Sequence, residues 1–362
     1  MTNVVSFSII GGSGFRAQYF LRVAQALPDK FRVSGMVVRD AGKGQEMEQK
    51  WNIATYRSLE ELLQKEKPDF VVISTNHSSI EYLLQLTELG IPALVETPPA
   101  PDLDGLLLLH ERLTKIGAKV QVAEQYHLHP MNVARQNVIQ SGRLGPITQA
   151  TVSISQTYHG VSLIRKMLGI GFEDAVIRAM KFNSPIVAGP DRSGPPKEEA
   201  IIMSERELAW IDFGGKLGIY DFTVNQHRSW IRSSHLNVRG ERGELFDHRL
   251  EVLSDFKTPL HLELKRINKG EEEYVGGYYL EGIIAGEQWV YRNPFIPARL
   301  YDDEIAVASC LMKMAEFVAG GPSFYSLPEA SQDHYLGMMI AQAIKSGDTV
   351  RTVRQPWADH NN

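Results

Sequence analysis

The stretch that decides the fold is Ile9-Ile10-Gly11-Gly12-Ser13-Gly14-Phe15-Arg16-Ala17, which ends an apolar run that starts at Val4. It contains G-x-G-x-x-A as Gly12, Gly14 and Ala17. Small residues between a strand and a helix allow a tight turn and bring the backbone close to a pyrophosphate, which the free N–H groups of the helix N-terminus then bind. A purely structural glycine turn is the alternative. The place of the motif at the start of an α/β pattern favours the dinucleotide site.

The first third of the chain alternates short apolar, β-branched runs with longer stretches of helical period. This pattern is typical of parallel strands joined by crossover helices, and it predicts an α/β domain over residues 1–125. Another helix is predicted beyond it, at 131–141. The predicted strands are Val4–Ile10, Val33–Val38, Phe70–Ser74, Ala93–Val95 and Val120–Ala123, and the helices of the domain are 15–26, 58–65, 79–89 and 102–116.

The rhythm changes after Gly142, and a second, mostly antiparallel domain is predicted over residues 126–362. Gly214-Gly215 stands between two β-like runs as a two-residue hairpin. The segment Pro185–Glu199, rich in proline, predicts a loop near a site or interface. The other predicted elements are strands Ile147–Ser155, Arg206–Phe213 and Lys216–Val224, helices 302–319 and 328–346, and a loose tail from Gln355.

Composition and charge exclude several classes of protein. The 362 residues carry 38 Lys+Arg against 43 Asp+Glu, a formal charge of −5, which is the wrong sign for a partner of nucleic acid. No apolar stretch reaches the ~20 residues that cross a bilayer, so we expect no membrane association. A single cysteine, Cys310, predicts a reducing, cytoplasmic setting. The signatures of common hydrolases, phosphotransferases and zincins are missing from the sequence.

The end of the second predicted strand bears on the choice of cofactor. It reads Val37-Val38-Arg39-Asp40. An acidic residue here accepts from ribose hydroxyls, which Asp40 would do, whereas Arg39 would pair with a 2′-phosphate. An exposed turn pair is the simpler alternative. The pattern predicts NAD or NADP, with a lean towards NADP.

Six short motifs follow one another along nearly the whole chain. They are the strand with Gly11-Gly12-Ser13-Gly14, then Tyr56–Leu63, Asp69–His77, Leu89–Pro98, Ser141–Ile147 and Ser346–Val350. In this order and spacing they resemble the glucose-fructose oxidoreductase / inositol dehydrogenase (Gfo/Idh/MocA) family.

The resemblance implies a Rossmann domain with a parallel sheet, followed by an α/β domain with a large, mostly antiparallel open sheet. It also implies a nicotinamide cofactor, a sugar, polyol or related substrate bound between the domains, and a homodimer or homotetramer. The glycine motif, the end of the second strand and the family motifs together give the candidate cofactor residues, which are Gly12, Ser13, Gly14, Phe15, Arg39, Ser74, Thr75, Asn76, His77, Glu96 and Thr97.

Two departures from the family pattern concern the chemistry. Family members usually have a lysine between the glutamate and the proline of Glu96-Thr97-Pro98, where it polarises the substrate oxygen; here Thr97 replaces it. The family also has an aspartate four residues before a histidine, and this chain keeps His159 but has Ser155 in the aspartate position. Thr97 is no general acid at neutral pH. The sequence therefore puts alcohol oxidation through the usual lysine in doubt.

Histidines remain as candidates for proton transfer, because imidazole titrates near neutrality. We expect His159 to be the acid or base, with Tyr126 or His127 positioning the substrate. A satisfied structural histidine is the alternative for His159. In an extended segment His127 and His129 would point the same way, yet no clear third ligand accompanies them, so we expect no metal site. His227, His235, His248 and His261 are interpreted as surface or sheet residues.

Three functions are compatible with these residues. The first is an NAD(P)-dependent oxidoreductase acting on a sugar, polyol or related derivative. The second is a relative without net redox chemistry that hydrolyses or eliminates at a glycoside, with or without bound nicotinamide. The third is a cofactor-binding protein without catalysis.

Overall fold

The computed structural model describes residues 4–75, 78–273 and 276–359. All strand pairs of its first sheet are parallel. Its strand order is β3-β2-β1-β4-β5-β6. In a sheet of this order the carboxyl ends of β1 and β4 flank the crevice where dinucleotides bind. The strands are β1 (Val5–Ile10), β2 (Phe31–Val37), β3 (Thr55–Tyr56), β4 (Phe70–Ile73), β5 (Ala93–Val95) and β6 (Val120–Val122).

Helices cover both faces of this sheet, which is why its central strands are apolar on both sides. Every residue of β4 is buried. The helices are α1 (Ala17–Ala26), α2 (Ala41–Trp51), α3 (Leu59–Lys65), α4 (Ser79–Glu88) and α5 (Leu103–Ile116). The predicted strands and helices of this part are confirmed to within a few residues, whereas α2 and β3 were not predicted.

The second sheet has eleven strands in the order β16-β15-β14-β13-β12-β11-β7-β10-β9-β8-β17. Its neighbours pair antiparallel, apart from the parallel pair of β7 and β10. The strands are β7 (Ile147–Ser153), β8 (Val176–Val187), β9 (Ile201–Asp212), β10 (Leu217–Thr223), β11 (His235–Gly240), β12 (Gly243–Phe246), β13 (Arg249–Leu253), β14 (Pro259–Lys269), β15 (Tyr279–Ala285), β16 (Gln288–Arg292) and β17 (Val350–Arg351). The predicted fold class, a parallel sheet plus a large, mostly antiparallel sheet, is confirmed.

Helices α6 (Pro130–Gln140), α7 (Thr157–Leu168) and α9 (Leu327–Ser346) pack their apolar residues against one face of this second sheet. Helix α8 (Asp302–Val318) shares a core with α1 of the first sheet instead. Residues from both sides of the predicted division at 125 and 126 therefore pack together, and the division into two domains stays a prediction. Among the described residues, no helix is long and apolar enough to span a membrane.

The hairpin predicted at Gly214-Gly215 is confirmed, and both glycines have positive φ values, of 73° and 128°. The predicted loop at 185–199 is wrong at its start, because Pro185–Val187 continue β8 and pair with β9. The predicted loose tail is also wrong over residues 355–359, whereas residues 360–362 lie outside the described residues. Residues Pro356–Asp359 form a short 3-10 helix, in which the Trp357 side chain is fully buried and its Nε1 donates to Gln332 Oε1 at 2.9 Å.

Candidate functional site

The glycine turn after β1 is held between two neighbouring strands. Gly11 has φ of 82°, and a Cβ there would lie 2.6 Å from the Ser74 carbonyl oxygen. The Gly11 N–H donates to Val37 O at 3.0 Å, and the Gly14 N–H donates to Gly11 O at 2.9 Å. Glycine alone adopts this conformation at this distance without strain. Gly11, which the sequence analysis did not single out, therefore sets the geometry of the turn.

A cavity of about 320 Å³ opens at the carboxyl ends of β1, β2 and β4. Five predicted cofactor residues line it, namely Ser13, Gly14, Arg39, Ser74 and Thr75. Gly12 lies beneath the turn instead, where a Cβ would meet the Met36 side chain at 2.8 Å. Asn76 and His77 are outside the described residues.

Two exposed cations line this cavity, Arg39 in the turn between β2 and α2 and Lys43 in the first turn of α2. The Asp40 side chain caps the helix by accepting the Lys43 N–H at 2.8 Å. Arg57 fixes the same turn by donating to Val38 O at 2.5 Å and to Asp40 O at 3.0 Å. The Asp40 carboxylate is thus engaged in capping, while the arginine and the lysine stay available to an anion.

Phe15 and Glu96 lie outside that cavity. The Phe15 ring is half exposed and carries the Arg192 guanidinium 4.4 Å above it, so that the predicted site loop reaches the glycine turn. Glu96 follows β5 and is buried, and Thr97 after it is joined to Pro98 by a cis peptide bond. The structure therefore does not bring all of the predicted cofactor residues to one cavity.

Glu96 has a cationic partner, Arg16, which is the residue that precedes helix α1. Arg16 Nε donates to Glu96 Oε1 at 3.1 Å, and its Nη2 lies 3.1 Å from the same oxygen. Burial opposes the charge of the guanidinium, but Glu96 and the neighbouring tyrosines outweigh it and raise the pKa of Arg16. Sequence reasoning looked for a cation only at position 97 and missed this one.

A second carboxylate, Glu124, is wholly buried just beyond β6. Its Oε2 lies 2.6 Å from His159 Nδ1, and its Oε1 accepts the Tyr126 N–H at 2.9 Å. Burial by itself would raise the pKa of Glu124, yet the charge and hydrogen bond of His159 prevail and lower it. An ionised carboxylate only accepts hydrogen bonds, so His159 Nδ1 is the donor of this pair, and Nε2 is the ring nitrogen that Glu124 does not contact.

The sequence analysis missed Glu124, although the signal was present. A glutamate directly after the buried run Val120–Ala123 is unusual, since an ionised carboxylate is rarely buried without a partner. The partner comes from α7, 35 residues later, and no spacing rule links the two.

Tyr126 joins these groups into one cluster. Its ring centroid lies 4.4 Å from that of His159 and 5.1 Å from that of His129, on which it stacks. Burial raises the pKa of the Tyr126 hydroxyl, while its hydrogen bond with Ser155 and the charge of Arg16 act in the opposite direction. The Tyr126 ring thus contacts the His159 ring, while the charge of Arg16 lowers the pKa of the Tyr126 hydroxyl.

His127 does not join this cluster. Residues Tyr126–Leu128 form a 3-10 turn rather than an extended segment, so the expectation that His127 and His129 point the same way is wrong. The His127 ring packs against Tyr325 at 4.9 Å between centroids, while His129 Nε2 lies 3.3 Å from Asp303 Oδ1. Burial, followed by the charge of Lys166, lowers the pKa of His127 to about 3. This value is too low for proton transfer at neutral pH.

The remaining histidines lie in strands and turns. His227 is in a 3-10 turn, where its Nε2 lies 3.1 Å from Gln156 Oε1. His235 and His261 lie in strands and His248 lies in a turn, as expected. No group of three His, Cys, Asp or Glu side chains suited to a metal ion occurs in the part of the chain that the structure describes.

Comparison with known proteins agrees with this geometry. Residues 5–124 match the GFO_IDH_MocA family model, an oxidoreductase family with an NAD-binding Rossmann fold. No curated protein matches the chain.

Solved structures match the chain over nearly its whole length. An oxidoreductase from Agrobacterium radiobacter, in complex with NAD+, L-tartaric acid and magnesium, is 15% identical, with a TM-score of 0.69 over 96% of this chain and 98% of that one. The WlbA dehydrogenase from Bordetella pertussis, in complex with NADH and UDP-GlcNAcA, is 13% identical, with a TM-score of 0.64 over 98% of this chain and 100% of that one. A myo-inositol dehydrogenase from Corynebacterium glutamicum is 13% identical, with a TM-score of 0.66 over 98% of this chain and 100% of that one. At such identities the likeness shows a shared two-sheet fold.

Proposed function

We propose that this protein is an NAD(P)-dependent oxidoreductase that oxidises a hydroxyl group of a sugar, polyol or related compound. The observation that carries the proposal is the contact of the buried Glu124 with His159 Nδ1, which leaves the other ring nitrogen, Nε2, for proton transfer with a substrate. The match of residues 5–124 to an NAD-binding oxidoreductase family supports the redox half of the reaction.

The glycine turn and helix α1 fit a dinucleotide. A Cβ at Gly14 would lie 3.1 Å from Gly11 O, so the turn is already tight at this residue. Because Gly14 has no side chain, a pyrophosphate would be able to approach its backbone closely. Arg16, at the start of α1, makes no capping hydrogen bond to the helix, and the first turn contains no acidic residue. Free N–H groups at a helix N-terminus bind phosphate. Ser13 and Gly14 would therefore hold the pyrophosphate.

The cations at the mouth of the cavity support a preference for NADP. Arg39 and Lys43 are exposed there, and a guanidinium forms paired hydrogen bonds to a phosphate. The Asp40 carboxylate, which would otherwise accept from a ribose hydroxyl, caps α2.

The nicotinamide, when bound, supplies the hydride acceptor. The protein supplies the base: His159 Nε2 takes the hydroxyl proton, while Glu124 fixes the ring and stabilises the resulting imidazolium. Base catalysis of this kind contributes about 10²–10⁴ to the rate. Tyr126, in contact with the His159 ring, positions the substrate hydroxyl. Thr97 takes no part in proton transfer.

Hydrolysis or elimination at a glycoside is the second candidate, favoured by the threonine at position 97. In that reaction the same His159 nitrogen, protonated, would give its proton to the leaving oxygen. The two reactions produce different signals, so one experiment separates them.

A homodimer or homotetramer is proposed on the open face of the second sheet. Large apolar side chains of β8 and β9 are exposed on this face, namely Met180, Phe182 and Trp210. Exposed apolar surface of this kind marks interfaces. The free, buried Cys310 is compatible with a reducing cytoplasm.

The test offers the purified protein NAD or NADP together with inositols, hexoses, uronic acids, nucleotide sugars and aryl glycosides. Reduced nicotinamide is followed at 340 nm and released monosaccharide by chromatography. We expect reduction with at least one polyol or sugar, and a fall of ~10² or more in His159→Asn. His248→Asn, which changes an exposed histidine in a turn, is the matched control and should keep full activity. Sugar release without reduction would replace this proposal by the glycoside reaction.

A further inference from the structure

Two arginines, Arg16 just before helix α1 and Arg22 within it, lie against the same tyrosine ring but pair with different glutamates. Arg16 lies over one side of the Tyr19 ring, 4.8 Å from its centroid, and Arg22 lies 4.5 Å from the same centroid. Each pairs with a buried glutamate, Arg16 with Glu96 and Arg22 with Glu304. Glu96 directly precedes Thr97 after β5, whereas Glu304 lies on α8, so Arg16 is the arginine held next to position 97. The pair therefore offers a test residue and a matched control.

Arg16 is surrounded by titratable groups from several elements. Glu96 after β5 and Tyr19 on α1 contact it directly. Its charge also acts on Tyr126 of the 3-10 turn, and on Asp303 and Cys310 of α8.

The guanidinium keeps unused hydrogen-bonding capacity. Its Nη2 is buried but has no hydrogen-bond partner among residues 4–75, 78–273 and 276–359, although it lies 3.1 Å from Glu96 Oε1. A buried donor without an acceptor costs about 1–3 kcal/mol. Such a donor, held beside Glu96, is suited to an acceptor that arrives with the substrate.

We propose that Arg16 supplies the positive charge that stabilises the substrate oxygen while its proton passes to His159, an inference that rests on the oxidoreductase function proposed above. The C–H bond breaks with its electron pair, which leaves as hydride for the nicotinamide. The O–H bond breaks and its proton goes to His159 Nε2. The products are a carbonyl compound, a reduced nicotinamide and an imidazolium ion, and Arg16 keeps all of its protons.

This role divides the chemistry between two residues. A lysine can both attract the oxygen and exchange a proton, whereas arginine stays protonated at all working pH values. All proton transfer therefore falls on His159, which explains why its Nδ1 is held by a buried carboxylate. Glu96 fixes the guanidinium in place.

The experiment compares Arg16→Gln, Arg16→Lys and Arg22→Gln with the wild type. On the substrate that the panel identifies, we expect Arg16→Gln to lower kcat by ~10²–10³, the usual loss for one donor to a developing oxyanion. Arg16→Lys should recover part of the loss, and Arg22→Gln should stay within about twofold of the wild type. Binding of NADPH, followed by its fluorescence, should change little in any variant.

A readout independent of turnover follows the phenol of Tyr126, observed by NMR with ¹³C-labelled tyrosine and assigned with Tyr126→Phe. Because the charge of Arg16 lowers the pKa of Tyr126, Arg16→Gln should raise that pKa and Arg22→Gln should not. A charge restored from another position, Thr97→Lys added to Arg16→Gln, should bring back part of kcat.

Each failure has its own signature. Full kcat in Arg16→Gln on a substrate that the wild type oxidises overturns this inference and leaves the proposed function intact. A loss of NADPH affinity in place of kcat also overturns it, since Arg16 would then serve the cofactor. An unmoved Tyr126 titration shows that the guanidinium does not face the site. If the wild type oxidises no compound with either cofactor, the proposed function falls, and the inference with it.

Discussion

Glu124 Oε2 and His159 Nδ1 lie 2.6 Å apart, and the carboxylate of this pair is shut off from solvent. The two residues come from different layers of the molecule, one from the loop after β6 and the other from α7. A carboxylate in this position fixes the tautomer of the histidine and stabilises its protonated form.

Replacing Glu124 by glutamine should therefore lower turnover without emptying the cofactor site. An amide neither neutralises the imidazolium nor selects the Nδ1–H tautomer, so we expect kcat to fall by ~10² or more in Glu124→Gln. The measurement is steady-state kinetics on the substrate from the panel, with NADPH fluorescence for binding. Glu263→Gln changes an exposed glutamate that lies 3.6 Å from His248, and it serves as control. Equal kcat in both variants would remove Glu124 from the mechanism.

Gly14→Val should abolish dinucleotide binding in a folded protein. The valine side chain would enter the space that the pyrophosphate approaches, while the backbone of the turn needs no positive φ at this residue. We expect a loss of NADPH affinity of at least tenfold in a fluorescence titration, with an unchanged circular dichroism spectrum. Gly11→Ala gives the contrast: a Cβ 2.6 Å from Ser74 O should destabilise the sheet itself and lower the Tm. Unchanged titration in Gly14→Val would contradict the assignment.

Arg39→Ala should weaken NADPH binding far more than NADH binding, because only NADPH has a 2′-phosphate for the guanidinium to bind. We expect about a tenfold loss for NADPH, roughly 1.4 kcal/mol. The control is Arg32→Ala, which changes an exposed arginine near the start of β2, the strand that precedes Arg39. Equal losses for both cofactors, or a wild type that prefers NADH, would refute the lean towards NADP.

The strands and helices that were predicted correctly are those whose own residues determine their structure. β4 and β5 are unbroken apolar runs whose residues are all buried, so the apolar composition of each run identifies it. Helix α2 was missed because its sequence contains two glycines and buries only Gly44. Strand β8 was missed because it is largely exposed. Its exposed face carries apolar residues such as Met180 and Phe182, so apolar and polar residues do not alternate regularly along it.

The site was predicted less completely, since its pairs join residues far apart in sequence. Arg16 and Glu96 are 80 residues apart, and Glu124 and His159 are 35 apart. The sequence analysis identified His159 and Tyr126 through the resemblance, and the structure brings these two together. Nothing local in the sequence states which carboxylate reaches which base.

His127 gives a prediction about acid stability. Its pKa is about 3 in the folded protein and about 6.5 in an unfolded chain, so between these values the unfolded state binds the extra proton. Stability from this group is therefore complete above pH ~6.5 and is lost as the pH falls, with a slope of up to ~1.4 kcal/mol per pH unit. We expect the Tm of His127→Gln to fall less between pH 7 and 5 than that of the wild type. His261→Gln, at an exposed histidine, should follow the wild type, and parallel curves for all three would contradict the prediction.

The buried C-terminal tryptophan gives the last prediction. Trp357 is fully buried, donates to Gln332 on α9 and packs edge-on against Tyr335 at 6.1 Å, in a core that also includes strands of the first sheet. Replacing a buried tryptophan by alanine typically costs about 3–5 kcal/mol, because it leaves a cavity, and here Gln332 also loses its donor. Trp357→Ala should therefore lower the Tm by several degrees in differential scanning calorimetry. Trp230→Ala, at a side chain that is 71% exposed, should change the Tm little. Equal Tm values for the two variants would mean that the segment after Gln355 contributes nothing to the core, as the sequence alone had suggested.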